Sequence, residues 1–147
     1  MKNSRGVTLN MMKLHGLAVN KSISKSITIL DMPFNTYRNK SEALRNAKIL
    51  LNFTKSKMLK LEINDNIEII KHLSDKKINV VAHLGVTPQS FTNFSKIKAV
   101  GKKNNERKKL IKLALESERA GAKIILLECV FQETAKEITS LVQVPTI

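Results

Sequence analysis

Four short apolar runs in this chain each close on an ionisable residue, and nothing else in the sequence restricts the fold as strongly. They are Ile27–Asp31, Met58–Glu62, Asn79–His83 and Ile124–Glu128. Runs of Ile, Val and Leu without polar alternation suit strands covered on both faces, as in a parallel sheet. Pro33 has no amide hydrogen to give a ladder, which predicts that the first strand stops near Asp31. Helical periods separate the runs, so the order is βαβαβαβ and predicts parallel strands joined by right-handed crossovers. The carboxyl ends of such strands carry the chemistry in α/β folds. Four ionisable groups at four strand ends therefore point to one shared site.

The helices follow from spacing and caps. Residues 7–20 predict a helix with Met11, Leu14 and Ala18 on one face, Leu17 beside them and Thr8 as cap; His15 lies next to that face. Asn39 caps the next helix, with Glu42 three residues on as in a capping box, and Leu44, Ala47, Leu50 and Leu51 form its buried side. Ile67, Ile70 and Leu73 mark the inner face of a helix over 65–76, and Leu110, Leu113 and Ala114 that of a helix over 105–120 stopping at Gly121. A last helix spans 132–142, and Val144–Ile147 reads as the start of another strand. The stretch 84–103 has no clear period, and a connection of that length suits a lid or a binding loop. A doubly wound sheet and a (β/α)8 barrel both fit this order.

A chain of 147 residues accommodates one domain with a real core. The net charge of +14 invites a nucleic-acid function, but the lysines are scattered over every helix and loop. The densest cluster, Lys102 to Lys109, has no interleaved aromatic residues to stack bases, so a solvated surface is the expectation and a nucleic-acid partner is not. No run reaches the length of a membrane span, and the N-terminus lacks a signal-peptide core. The single cysteine, Cys129, cannot pair within the chain; it reads as a small buried hydrophobe in a reducing, cytoplasmic setting.

The chemistry is concentrated at the strand ends. Asp31 and Glu62 are one βα unit apart, and adjacent parallel strands lie just under 5 Å apart. Two carboxylates so placed suit one hard cation, since Mg²⁺ takes one or two carboxylates plus water and substrate oxygens. The plainer alternatives are an Asp31 bonded to its own turn and a Glu62 in a surface ion pair. Lys60, two residues before Glu62, projects to the same side and could meet an anionic substrate. His83 is either a polar wall of the site or a satisfied core histidine. Glu128 follows Ile-Ile-Leu-Leu; partial desolvation there would raise its pKa and suit it as a base, the alternative being an acid turned outward.

The segments Asp31-Met32-Pro33-Phe34 with Tyr37, Ala43–Ala47, Lys60-Leu61-Glu62, His83-Leu84-Gly85-Val86-Thr87-Pro88-Gln89-Ser90, Val100-Gly101-Lys102, Ala120-Gly121-Ala122, Leu127–Val130 and Val144–Ile147 resemble ketopantoate hydroxymethyltransferase in order and spacing. Met12 and His15–Val19 fit as well, so the likeness covers nearly the whole chain, and the segment from His83 to Ser90 is the most specific part. The resemblance implies an α/β fold, an incomplete TIM-type (β/α)8 barrel of four to five βα units, with residues 1–147 as one partial barrel domain. It implies a transferase that moves a one-carbon unit from 5,10-methylenetetrahydrofolate to 3-methyl-2-oxobutanoate, giving 2-dehydropantoate for pantothenate and coenzyme A synthesis by Mg²⁺-assisted enolate formation. Asp31 and Glu62 then correspond to Mg²⁺ ligands, Asp31 and Lys60 to substrate contacts, and Glu128 to the base for the C3 proton. The partners implied are the keto acid, the folate and further copies in a homo-oligomer.

The sequence also departs from the family pattern. The family has an Asp-Ser pair in a turn after its first strand, whereas this chain starts after that turn; it ends before the family's glycine-rich turn and last strand. Ile63-Asn64 and Phe131 stand where the family has glycines and proline. The expectation is an internal fragment, with an inactive or complementation-dependent remnant as the alternative.

Overall fold

The computed structural model describes residues 4–90 and 97–147. Helix α1 (Leu9–Ser22) leads into β1 (Ile29–Asp31), followed in strict alternation by α2 (Lys40–Thr54), β2 (Met58–Glu62), α3 (Ile67–Asp75), β3 (Asn79–Gly85), α4 (Asn104–Arg119), β4 (Ile124–Glu128) and α5 (Gln132–Leu141). The strands stand in sequence order, every neighbouring pair parallel. Consecutive helices touch one another, α1 on α2 through to α4 on α5, and so form a single layer. This is barrel topology. A doubly wound sheet reverses its strand order and carries helices on both faces.

Side chains alternate across each strand, and the two faces differ sharply. Leu30, Leu59, Leu61, Val80, Ala82, Leu84 and Ile125 belong to the core shared with the helices and are almost wholly buried. Each such Leu or Ile stabilises the fold by about 1.5–3 kcal/mol. The intervening positions, Asp31, Lys60, Glu62, His83 and Glu128, project from the opposite face. Two short segments extend the sheet beyond its strands. The Ile125 and Leu127 amides donate to the Pro145 and Ile147 carbonyls at 3.0 and 2.8 Å, so the final residues do begin a further parallel pairing. Val100 bridges Val130 in the same sense.

The caps form as their residue types dictate. Thr8 Oγ1 accepts the Met11 amide and Asn39 Oδ1 the Glu42 amide, at 3.2 and 2.9 Å. The capping box is shifted by one residue, because the Glu42 carboxylate accepts the Arg38 amide, not that of Asn39. Gly121 ends α4 with φ at +101°, the left-handed conformation that favours glycine.

Four expectations need correction. The inner face of α1 is Leu9, Met12 and Gly16, while Leu14 is 57 % exposed and His15 and Ala18 face solvent. A count of apolar side chains misses this face because its closest approach is made by a glycine: a Cβ on Gly16 would stand 2.7 Å from Leu30 Cδ2. The first strand begins at Ile29, and Ile27 is exposed. The stretch 84–103 is not wholly irregular, since β3 runs to Gly85 and a single 3-10 turn covers Pro88–Ser90; residues 91–96 of it lie outside the described residues. Cys129 is exposed, not buried. Its φ of +51° breaks β4 directly after Glu128, before the isolated bridge from Val130 to Val100.

Candidate active site

Register brings the predicted site residues together. Asp31 stands opposite Lys60, Glu62 opposite His83, and Glu128 opposite Gly85, so all five ionisable groups share the face away from the helices. Lys60 Nζ contacts Asp31 Oδ2 at 2.9 Å, with the lysine largely buried and the aspartate half exposed. Asp31 thus neither bonds its own turn nor stands alone.

Glu62 is the deeply buried acid of the set. Its side chain is not in a surface ion pair; the Gln89 amide donates to both carboxylate oxygens at 3.1 Å. Burial pushes its pKa up to about 7, against the pull of the Gln89 amide and Lys60, while the charges of Asp31 and Glu128 push it further up. Glu62 is the more deeply covered of the two acids that end apolar strands. Glu128 keeps 39 % of its side chain exposed because β4 ends in the left-handed turn at Cys129.

His83 is fully buried but is not a satisfied core histidine. Neither ring nitrogen makes a hydrogen bond of full geometry, although the Val86 backbone lies close enough to favour the protonated ring slightly. Nε2 lies 3.3 Å from Glu128 Oε2, within ion-pair distance. Burial, and then the nearby Lys60 charge, push its pKa down to about 4, so the imidazole is neutral at physiological pH. At that pH the contact is between a neutral ring and a carboxylate, not an ion pair. Gly85 makes the approach of β3 to β4 possible: a Cβ there would stand 2.3 Å from the Glu128 carbonyl oxygen. The neighbouring Val86 amide donates to that same carbonyl at 2.8 Å.

A cavity of about 190 Å³ opens beside Glu62, walled by Phe34, Tyr37, Arg38, Asn64 and Gln89 among others. Gln89 and Tyr37 were visible in the sequence only as letters of a motif. A glutamine in a polar turn directly after a strand is the one signal that could have singled out the first. Tyr37 Oη donates to Gln89 Oε1 at 3.0 Å, and burial raises the pKa of its hydroxyl well above the ordinary tyrosine value.

Asp31 and Glu62 put two carboxylates from adjacent strands on one face, the kind of donor a hard cation takes together with water. In this structure they are engaged by Lys60 and by the Gln89 amide. Among the described residues no group of three or more His, Cys, Asp or Glu side chains could hold a metal by itself. No helix among the described residues is long and apolar enough to cross a membrane.

Fold and site together define an α/β protein of barrel type whose strand ends gather acids, a lysine and a histidine on the inner face. The chain belongs to the ketopantoate hydroxymethyltransferase family, whose sequence profile matches residues 1–147. It is 48 % identical over 146 residues to the 3-methyl-2-oxobutanoate hydroxymethyltransferase of Pelagibacter ubique (strain HTCC1062), covering 99 % of this chain and 56 % of that one. The protein of the same name from Phenylobacterium zucineum (strain HLK1) is 36 % identical over 149 residues, 100 % of this chain and 54 % of the relative. The chain spans about half the length of the curated relatives it matches. Among solved structures it resembles 2,3-dimethylmalate lyase, a PEP mutase/isocitrate lyase superfamily member. The TM-score is 0.70 at 14 % identity, over 96 % of this chain and 51 % of the other, a likeness of fold.

Proposed function

We propose that this chain carries the substrate-holding and acid–base groups for hydroxymethyl transfer from 5,10-methylenetetrahydrofolate to 3-methyl-2-oxobutanoate, giving 2-dehydropantoate. The observation that carries this reading is the meeting of Asp31, Lys60, Glu62, His83 and Glu128 on one sheet face, in a chain of the hydroxymethyltransferase family. Glu128 is the base for the C3 proton: it is accessible to a substrate and has a neutral ring at its side. His83 packs against that carboxylate as a neutral ring, 3.3 Å away, and adds no charge beside it. Lys60, steadied by Asp31, offsets the negative charge of the keto acid's carboxylate. Asp31 and Glu62 would hold Mg²⁺. When bound, the ion supplies Lewis-acid polarisation of the keto group, which eases loss of the adjacent proton.

The test is an assay of the purified chain with Mg²⁺, methylenetetrahydrofolate and the keto acid. The expected result is 2-dehydropantoate formation that disappears in Glu128→Gln. Turnover that survives in that variant would remove Glu128 from its role, and absence of both turnover and keto-acid binding in the unaltered chain would remove the proposal.

A further inference from the structure

Gln89 spends every polar group it has on the site. Its amide donates to both oxygens of Glu62 at 3.1 Å, and its side-chain Nε2 donates to the Met32 carbonyl at 2.9 Å. Its Oε1 accepts the Tyr37 hydroxyl at 3.0 Å, and its carbonyl accepts Arg5 Nε at 2.8 Å. The residue is 8 % exposed and sits in the 3-10 turn Pro88–Ser90 after β3. Met32 follows β1 directly and its amide continues the β1–β2 ladder by donating to the Lys60 carbonyl at 2.9 Å. The side chain of Gln89 is therefore fastened to the end of β1, while its backbone amide is fastened to the end of β2. The turn is closed locally by the Ser90 amide on the Thr87 carbonyl at 2.8 Å and by the Thr87 and Ser90 hydroxyls at 2.9 Å, and the Gln89 side-chain bonds are what tie it to β1.

We propose that Gln89 is a positioning residue for Glu62: its side chain, clamped between Met32 and Tyr37, holds its own backbone amide on the carboxylate and so fixes the direction in which that carboxylate faces. The consequence for cation binding rests on the reading of Glu62 as a metal ligand; the clamp itself does not. Partners outside the ligand shell that orient a metal-binding carboxylate typically change affinity by about 10–100-fold when removed. Packing alone predicts a different result, because methionine fills nearly the same volume and makes none of these bonds.

The experiment uses the full chain and two variants, Gln89→Met and Tyr37→Phe, with circular dichroism to confirm that each is folded. Tyr37→Phe is the milder change and keeps the question open to decision should Gln89→Met not fold. Hydrogen exchange at the residue-89 amide is read by NMR, and Mn²⁺ affinity by calorimetry. The expected result is exchange about tenfold faster in Gln89→Met, a smaller increase in Tyr37→Phe, and Mn²⁺ binding weakened by about tenfold in the first. Unchanged exchange in both folded variants would overturn the proposal; faster exchange with unchanged Mn²⁺ affinity would uphold the clamp and overturn the reading of Glu62 as a metal ligand. If the unaltered chain binds no Mn²⁺, the metal-ligand reading fails by itself, and the exchange rates alone decide whether Gln89 holds Glu62.

Discussion

Lys60 and Asp31 face each other across the β1–β2 ladder, and their side chains meet at 2.9 Å on the inner face of the sheet. The lysine is the more enclosed partner, so its charge has few other places to go. Replacing it by methionine keeps the stem and removes the charge. Lys60→Met is expected to raise the KM for the keto acid by about ten- to a hundredfold, the size of a lost charge-assisted contact. Steady-state kinetics with varied keto acid check this, and an unchanged KM would exclude Lys60 from the substrate site.

Glu128 is expected to remove the C3 proton before any one-carbon donor is needed. In D₂O with Mg²⁺ and no folate, proton NMR should show the C3 hydrogen of 3-methyl-2-oxobutanoate exchanging with solvent. Glu128→Gln should slow that exchange by about 10²–10⁴-fold with little change in keto-acid binding. Exchange at the unaltered rate in the variant would assign the proton to another group.

Glu62 and His83, partners in the β2–β3 register, should give opposite dependences of stability on pH. Burial raises Glu62 from 4.5 to about 7, so its contribution is complete below pH 4.5 and is lost as pH rises through 7. Burial lowers His83 from 6.5 to about 4, so its contribution is complete above pH 6.5 and is lost as pH falls through 4. The two slopes oppose each other in the shared window. Glu62→Gln should leave a chain that weakens steadily on acidification from pH 6.5 to 4. His83→Asn should leave one that weakens between pH 4.5 and 7. The change in each case is on the order of 1–3 kcal/mol, read from urea midpoints across the pH range. A flat profile in both variants would mean that neither group is as buried as the structure has it.

Gly85 permits the contact between β3 and the end of β4. Gly85→Ala places a Cβ 2.3 Å from the Glu128 carbonyl oxygen at a φ of +98°, which no rotation of a side chain relieves. The expected loss is about 2 kcal/mol or more of stability. The C3 exchange should fall with it, because the backbone that must move carries Glu128. A melting temperature within a degree of the unaltered chain would falsify this account of the turn.

The sequence revealed where the strands lie because a short apolar run sets each one. An ionisable residue alone does not close a strand: Lys60 lies inside β2, and β3 runs past His83 to Gly85. Asp31 with Pro33 is the clearest stop: the strand ends at Asp31, and the Met32 amide gives the last bond to β2 before the proline. Parallel register then required only that neighbouring strands pair in order. What local pattern could not supply was depth. Glu62 and Glu128 end similar apolar strands, yet only Glu62 is covered, because the turn at Gln89 closes over it and the turn at Cys129 leaves its neighbour open. The inward face of α1 was hidden for a related reason: Gly16 presents no apolar side chain to count. Gln89 drew no attention because its bonds run to residues 27, 52, 57 and 84 positions away.

The sequential order of the strands divides labour along the chain. Asp31, Lys60 and Glu62 arrive on β1 and β2, while His83 and Glu128 arrive on β3 and β4, so the proposed substrate-holding groups and the proposed base come from successive halves of the sheet. They touch at one seam, where Glu62 pairs with His83. On the proposed assignment, substitutions on the first pair of strands would alter which acid is held while leaving the His83 and Glu128 pair intact. Changes at the seam, by contrast, are felt on both sides at once.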